Sequence, residues 1–211
     1  MEHIAVIGAT SAAGRETVRR ALAFGFRVTA HSREPFVLQD LDEDRVRVVE
    51  GAIANAAVAE KAVRGNVAVV LLLGYEAPLQ GKECAAAASA VIEAMRKCGV
   101  RRLVAVSHAL VGKSDNLGFF ARRQQLALQD GASEAFDDRC RLEEVIARSG
   151  LEWTIVKPYA LAKGAPKGRV SVGPEVTVGL LSSVREGDLA QTLVDEVQLR
   201  DHVQQRVFIK N

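Results

Sequence analysis

One segment constrains this chain more than any other: Gly-Ala-Thr-Ser-Ala-Ala-Gly at positions 8–14. It follows a short apolar run, His3 to Ile7, and opens a stretch from Ala12 to Phe24 with apolar residues at helical spacing. A strand, a tight turn and a helix in this order are typical of a loop that holds a diphosphate, because the first helical turn presents N–H groups to it. The alternative is an ordinary strand-to-helix turn.

The rest of the chain alternates between strands and helices in the same way. Further strands are predicted at 27–31, 45–49, 67–73, 103–107, 153–156 and 206–209, and further helices at 55–64, 81–98, 135–148 and 186–197. We expect an irregular stretch at 112–131 and extended structure at 164–187. Such an alternation predicts an α/β protein with a doubly wound, mostly parallel sheet and helices on both faces, the Rossmann fold.

Length and composition narrow the classes of protein to consider. A chain of 211 residues fits one domain, 1–211, with a small substrate-side region at about 112–131 and 158–185. Lys and Arg total 28 against 26 Asp and Glu, so we expect no nucleic-acid surface. The start has no signal-peptide pattern, and the apolar run 67–73 is too short to cross a bilayer. We expect no membrane partner.

The cysteines indicate a reducing compartment. Cys84, Cys98 and Cys140 are odd in number, widely spaced and without a C-x-x-C pair, so neither a disulfide framework nor a metal site is predicted. We therefore expect a cytoplasmic protein, as a monomer or a small homo-oligomer.

Each residue of the loop has an expected part in binding. Gly8 permits the tight turn, Thr10 offers a hydroxyl, and the small Ala12 and Ala13 allow a ligand to approach the backbone. Gly14 lets the helix press against the sheet. Ser11 takes the middle position of a G-x-x-G-x-x-G pattern, where its Cβ narrows the approach to the diphosphate.

The end of the second strand selects between the two nicotinamide dinucleotides. An acidic residue there binds the ribose hydroxyls of NAD, whereas an arginine accommodates the 2′-phosphate of NADP. Here Ser32 and Arg33 stand at this position, with a hydroxyl and a guanidinium that suit a phosphate. The sequence therefore predicts NADP; the alternative is a solvated Arg33 neutralised by Glu34.

Three further segments carry a resemblance to a known family. They are 62–74, 137–144 and 149–158, which reads Ser-Gly-Leu-Glu-Trp-Thr-Ile-Val-Lys-Pro, joined by a late helix start at 186–190. With Gly8-Ala9-Thr10, Gly14 and Arg33 they resemble the atypical short-chain dehydrogenase/reductases, in particular the NmrA-like group that includes biliverdin-IXβ reductase, also called flavin reductase. The similarity is collinear and spans almost the whole chain.

The resemblance implies a set of cofactor-lining residues. These are Gly8, Thr10, Ala13, Ser32, Arg33, Ile53, Leu73, Gly74, Ser107 and Pro158. The chain departs from the family at Gly51-Ala52, where a Gly-Asp is common, and at Asn66, where an aspartate is common. His108 and Arg139 replace a serine and a histidine of the flavin reductase pattern.

Candidate catalytic groups lie at the carboxyl end of the strand 103–107. We expect Ser107 and His108 there to donate a proton to the acceptor or to hydrogen-bond it. The alternatives are a serine bonded to the backbone and a histidine that merely caps the strand. Tyr159 and Lys163 have the four-residue spacing of the usual reductase pair, but they follow Pro158 outside a helix, so we interpret the match as accidental.

Two further sets of residues are candidates for the cleft in which the acceptor would bind. Phe119, Phe120, Arg122 and Arg123 form either an apolar and cationic lid over a planar acceptor or a surface helix with buried phenylalanines. Lys157 and Lys163 either face the cleft or are simply solvated.

The resemblance and these residues together lead to one functional hypothesis and one alternative. The first is an NADPH-dependent reductase that transfers a hydride directly to a planar small molecule such as a flavin or a quinone, which needs little acid catalysis. The alternative is a non-catalytic NADP(H)-binding redox sensor, consistent with the missing reductase triad. A nucleotide-sugar epimerase is disfavoured, because such enzymes resemble longer chains.

Overall fold

A parallel sheet forms the centre of the molecule. The computed structural model describes residues 1–33, 44–73, 83–112, 116–130, 134–164 and 166–211. The helices are α1 (Ala12–Phe24), α2 (Ala56–Val63), α3 (Cys84–Cys98), α4 (Phe119–Asp130), α5 (Glu134–Ala147) and α6 (Glu186–Leu199). The strands are β1 (His3–Ile7), β2 (Arg27–Ser32), β3 (Val46–Glu50), β4 (Ala68–Leu71), β5 (Arg102–Val106), β6 (Glu152–Pro158), β7 (Leu161–Ala162), β8 (Ser171–Gly173), β9 (Val184–Arg185) and β10 (Gln205–Lys210).

The strand order confirms the predicted doubly wound fold. Eight strands form one sheet in the order β3-β2-β1-β4-β5-β6-β10-β8, in which only the pair β10–β8 is antiparallel. β1 lies between β2 and β4, where the strand order reverses direction. Crevices at such a switch point, outside the carboxyl ends of the strands, are where open α/β sheets bind ligands.

Two apolar layers sandwich the sheet because successive side chains of a strand point to opposite faces. Ile4 and Val6 of β1 belong to the layer covered by α1 and α6, whereas Ala5 and Ile7 belong to the layer covered by α2, α3 and α5. This explains why the central strands read as continuous apolar runs. Among the described residues, no helix is both long and apolar enough to cross a membrane.

Local signals set both ends of α1 and the start of α2. Ser11 caps the start of α1, and Gly25, in the left-handed conformation, ends it. Asn55 caps α2 in the same way. α3 differs, because its first amides, those of Cys84 and Ala85, are capped by the Asp138 carboxylate of α5 at 2.8 and 3.3 Å.

One segment differs from the predicted elements. The stretch expected to be irregular at 112–131 contains the helix α4, whose buried Gln125 donates hydrogen bonds to the carbonyls of Leu110 and Gly112. Its flanking glycines hid the helical pattern. The extended structure expected at 164–187 is confirmed by the short strands β8 and β9, and residues 81–82 of the predicted helix 81–98 lie outside the described residues.

The Asp188 side chain connects the loop before β8 to Asn211 through hydrogen bonds. Its buried carboxylate accepts hydrogen bonds from the amides of Lys167 and Gly168 at 2.8 and 2.9 Å, and from the Asn211 side chain at 3.0 Å. Burial alone raises the pKa of Asp188, but these hydrogen bonds outweigh burial, so the net pKa is lowered.

We predict that Asp188→Asn lowers the free energy of unfolding by about 1–2 kcal/mol at pH 7. Because the pKa of Asp188 is lower in the folded state, the charged carboxylate stabilises the fold above the ordinary value of 3.8. That contribution is lost as the pH falls through the folded pKa. Urea denaturation of both proteins should therefore show a gap that narrows below about pH 4. A difference in unfolding free energy that is equal at pH 7 and pH 3 would contradict stabilisation by the charged Asp188 carboxylate. Asp195→Asn is the control within α6.

Candidate functional site

The turn between β1 and α1 is as tight as its glycines predict. Gly8 has a φ of +86°, and a Cβ built there would lie 2.1 Å from the carbonyl oxygen of Leu72, which follows β4. A Cβ at Gly14 would lie 2.1 Å from the carbonyl oxygen of Gly8. No side chain fits at either position, so both glycines are required for the loop to keep this path.

Ser11 turns its side chain into the loop. Its hydroxyl donates to the Gly8 carbonyl oxygen at 3.0 Å and accepts from the Gly14 amide at 2.9 Å. Its φ of −65° and ψ of 157° suit any L-residue, so no glycine is needed here. The Ser11 side chain thus acts as a cap that holds the loop together, and the narrowing of the approach to the diphosphate stays a prediction.

The loop fits a dinucleotide diphosphate. Thr10 and Ala12 are half-buried at its rim, Ala13 is buried beneath it, and the first turn of α1 opens at the carboxyl edge of the sheet. A helix N-terminus carries partial positive charge, which favours an anion. The missing Cβ atoms of Gly8 and Gly14 let the loop pack closely against the protein's own backbone, which sets the path of the loop that a ligand would meet.

The end of β2 presents one buried and one exposed group. Ser32 is buried, whereas the Arg33 side chain is 69% exposed. An Arg33 guanidinium nitrogen lies 3.8 Å from a carboxylate oxygen of Glu83, the residue before α3. Glu34, the partner considered from sequence, lies outside the described residues.

The other implied lining residues follow the ends of neighbouring strands. The registers of β1, β4, β5 and β6 bring their carboxyl ends side by side, so Gly8, Leu73, Ser107 and Pro158 lie along one edge. Ile53 is buried in the apolar layer covered by α2 and α3. Gly74 lies outside the described residues.

Ser107 and His108 both have partners within the protein. The buried Ser107 hydroxyl donates to a Glu143 carboxylate oxygen at 2.6 Å. His108 Nδ1 accepts from the Leu110 amide at 3.1 Å, and the ring also bonds the Tyr159 backbone. Burial, reinforced by the nearby Lys157 charge, lowers the pKa of His108 to about 4, so the ring is neutral at pH 7.

Beneath these two residues lies a charged cluster that sequence reasoning missed. The Lys157 ammonium group, expected to be solvated or in the cleft, is fully buried 2.9 Å from Glu143. Arg206 donates to the other Glu143 oxygen at 3.0 Å, and Lys157 also donates to the Val111 carbonyl oxygen. Burial lowers the pKa of Lys157 despite the Glu143 carboxylate. A signal existed, because Glu143 falls at helical spacing on the apolar face of α5 with Phe136 and Ile146.

Arg139 is a second residue whose place the sequence did not reveal. It is 4% exposed, and its guanidinium donates to the carbonyl oxygen of Leu73 at the end of β4. A buried cation therefore lies directly at the carboxyl edge. Within the described ranges, no group of three or more His, Cys, Asp or Glu side chains is arranged to hold a metal ion.

The aromatic segment forms a helix, but its phenylalanines are not buried. Phe119 and Phe120 of α4 are 70% and 66% exposed, with their rings packed edge to face. Arg122 and Arg123 are exposed beside them. The helix is thus confirmed, but the burial of its phenylalanines, which the sequence favoured over a lid, is wrong. Tyr159 and Lys163 lie outside any helix, which agrees with an accidental spacing.

We predict that Gly14→Ala weakens dinucleotide binding at least tenfold, because the new methyl group would displace the Gly8 carbonyl and with it the loop. Gly118→Ala is a matched control, since the nearest atoms to its Cβ lie at 3.7 Å. Isothermal titration with NADP⁺ measures both. Unchanged affinity in Gly14→Ala would show that the ligand does not use this loop.

We predict that Glu143→Ala costs about 3–5 kcal/mol of unfolding free energy, because it leaves Lys157 buried without its counter-charge. The double variant Glu143→Leu, Lys157→Met removes both charges and should recover most of that loss. Thermal and urea denaturation of the three proteins test this. A double variant less stable than Glu143→Ala would mean that the cluster does not act as an ion pair.

Comparison with known proteins agrees with this geometry. Residues 8–199 match the model of a family described as NAD(P)H-binding. A relative from Streptomyces griseus, (4-alkanoyl-5-oxo-2,5-dihydrofuran-3-yl)methyl phosphate reductase, is 32% identical over 156 residues. The match covers 74% of this chain and 46% of that protein, so this chain spans about half the length of that relative.

Solved structures share the fold. A short-chain dehydrogenase/reductase from Veillonella parvula in complex with NADP has a TM-score of 0.80 at 18% identity, covering 100% of this chain and 94% of the other. ChuY, an anaerobillin reductase from Escherichia coli O157:H7, has a TM-score of 0.78 at 21% identity, covering 99% and 96%. With the family match over 8–199, these findings agree with the loop and the sheet, and the chain belongs to the NAD(P)H-binding family of Rossmann-fold proteins.

Proposed function

We propose that this protein is an NADPH-dependent reductase that delivers a hydride to a planar, conjugated small molecule such as a flavin or a quinone. The observation that carries the proposal is the glycine-edged loop, which opens onto the same carboxyl edge as Leu73, Ser107 and Pro158. The bound reduced nicotinamide supplies the hydride. The chain binds it, orients it and excludes water from one of its faces.

Arg33 supports NADP as the cofactor. It directly follows β2, its guanidinium is mostly exposed, and it can form charge-assisted hydrogen bonds with a 2′-phosphate. Ser32 is buried beside it, so in this proposal its main part is to shape the end of the strand.

The hydrogen bonds around Ser107 and His108 favour an acceptor that needs little acid catalysis. His108 is neutral and has backbone partners, and the Ser107 hydroxyl donates a hydrogen bond to Glu143. In this proposal His108 shapes the loop after β5, and Ser107 can turn its hydroxyl toward an acceptor only by leaving Glu143. Flavins and quinones are electrophilic enough to accept a hydride and take the proton from water.

The surroundings favour an acceptor with an anionic group. Arg139 is buried at the edge, and Arg122 and Arg123 flank the exposed Phe119 and Phe120 of α4. Aromatic faces and guanidinium groups suit a planar anion. The name of the Streptomyces griseus relative describes a substrate that bears a phosphate, which supports the same class.

A non-catalytic redox sensor is the second candidate. It is favoured by the internal hydrogen bonds of Ser107 and His108, which engage both side chains within the protein. A sensor would bind NADP⁺ and NADPH with different consequences for a partner and would turn over no acceptor. We further propose a cytoplasmic location and a small-molecule ligand as the principal partner, in keeping with the sequence expectations.

We predict NADPH oxidation at 340 nm with flavin mononucleotide or simple quinones, and a KM for NADPH that rises about tenfold in Arg33→Ala as the phosphate contact is lost. The KM for NADH should stay within a factor of two, because NADH has no 2′-phosphate. Tight NADP⁺ binding without turnover of any acceptor would favour the sensor. Equal changes for both cofactors in Arg33→Ala would contradict the role of Arg33.

A further inference from the structure

Glu83 contacts the residue proposed to select the cofactor. Its carboxylate lies 3.8 Å from the Arg33 guanidinium, and the two side chains are 75% and 69% exposed. Exposed ion pairs of this kind are weak and open to competition from solutes. A ligand that binds Arg33 from solvent therefore encounters a guanidinium already paired with Glu83.

Glu83 stands directly before α3, and among the described residues its carboxylate pairs with Arg33 rather than with the helix. It occupies the N-cap position of α3 but makes no capping hydrogen bond. The Asp138 carboxylate of α5 caps the amides of Cys84 and Ala85 instead. This long-range cap fixes the start of α3, and therefore Glu83, opposite Arg33 while leaving the Glu83 side chain available for other contacts.

We propose that Glu83 is a specificity-determining residue that competes with the 2′-phosphate of NADP for Arg33. The inference rests on the proposed role of Arg33 in NADP binding. A 2′-phosphate must displace the Glu83 carboxylate from the guanidinium, which weakens NADP binding by the strength of the ion pair. NAD has a hydroxyl in place of that phosphate and binds without breaking the pair. Glu83 thereby narrows the difference in affinity between the two cofactors.

The dissociation constants of NADP⁺ and NAD⁺, measured by isothermal titration, test the proposal without any need for turnover. Glu83→Gln should tighten NADP⁺ binding about two- to fivefold, the range expected from an exposed ion pair. NAD⁺ binding should change by less than a factor of two. Higher salt should shrink the gain, because it screens the wild-type pair.

The chain offers a matched control on the same helix. Glu93 also lies 3.8 Å from an arginine, Arg96, in an exposed pair on α3, so Glu93→Gln changes the net charge equally away from the carboxyl edge. It should leave both dissociation constants unchanged. An equal gain in Glu93→Gln would reduce the effect of Glu83 to overall charge and overturn the proposal.

A double-mutant cycle separates this inference from the proposed function. In an Arg33→Ala background, Glu83→Gln should no longer affect NADP⁺ binding, since its effect passes through Arg33. A gain in NADP⁺ affinity that persists without Arg33, or no gain in the single variant, would contradict the proposed competition by Glu83. The proposed role of Arg33 would then still stand. If instead Arg33→Ala leaves NADP⁺ affinity intact, the proposed role of Arg33 fails, and the role of Glu83 fails with it.

Discussion

The approach of the loop 8–14 to the strand beside it is the contact on which the remaining features depend. At Gly8 the backbone comes so close to the Leu72 carbonyl that no side chain fits, and at Gly14 the helix comes equally close to Gly8. These two contacts place the first turn of α1 above the switch point of the sheet. The bonds of Ser11 close the loop from within, so the site is formed by the protein alone.

A second constraint lies below the same edge. Glu143 connects α5 to Ser107, to the buried Lys157 of β6 and to Arg206 of β10, so one carboxylate joins four elements. Through Val111 the Lys157 ammonium group also holds the loop after β5. A buried ion cluster of this kind gains little net stability over apolar packing, but it allows few alternative arrangements of the groups above it. The edge therefore has an ion cluster buried beneath it, and Arg33 and Glu83 are exposed at its rim.

The sequence predicted what short-range rules govern. Most strands, most helices and the two glycines follow from neighbours a few residues apart, and the doubly wound, mostly parallel sheet follows from the alternation of strands and helices. What it missed depends on partners far along the chain. Arg206 and Glu143 are 63 residues apart, and the Asp138 cap of α3 spans 54. The expected burial of Phe119 and Phe120 was wrong, because the hydrophobicity of a side chain does not by itself decide whether that side chain is buried.

In the proposed function, loop 8–14 binds the diphosphate of NADP and Arg33 binds its 2′-phosphate. The most direct measurement is a crystal structure of the protein grown with NADP⁺. We expect diphosphate oxygens within hydrogen-bond distance of the loop amides, and the 2′-phosphate on Arg33 with Glu83 displaced. A dinucleotide bound away from Gly8 and Gly14, or none at a saturating concentration, would contradict the claim.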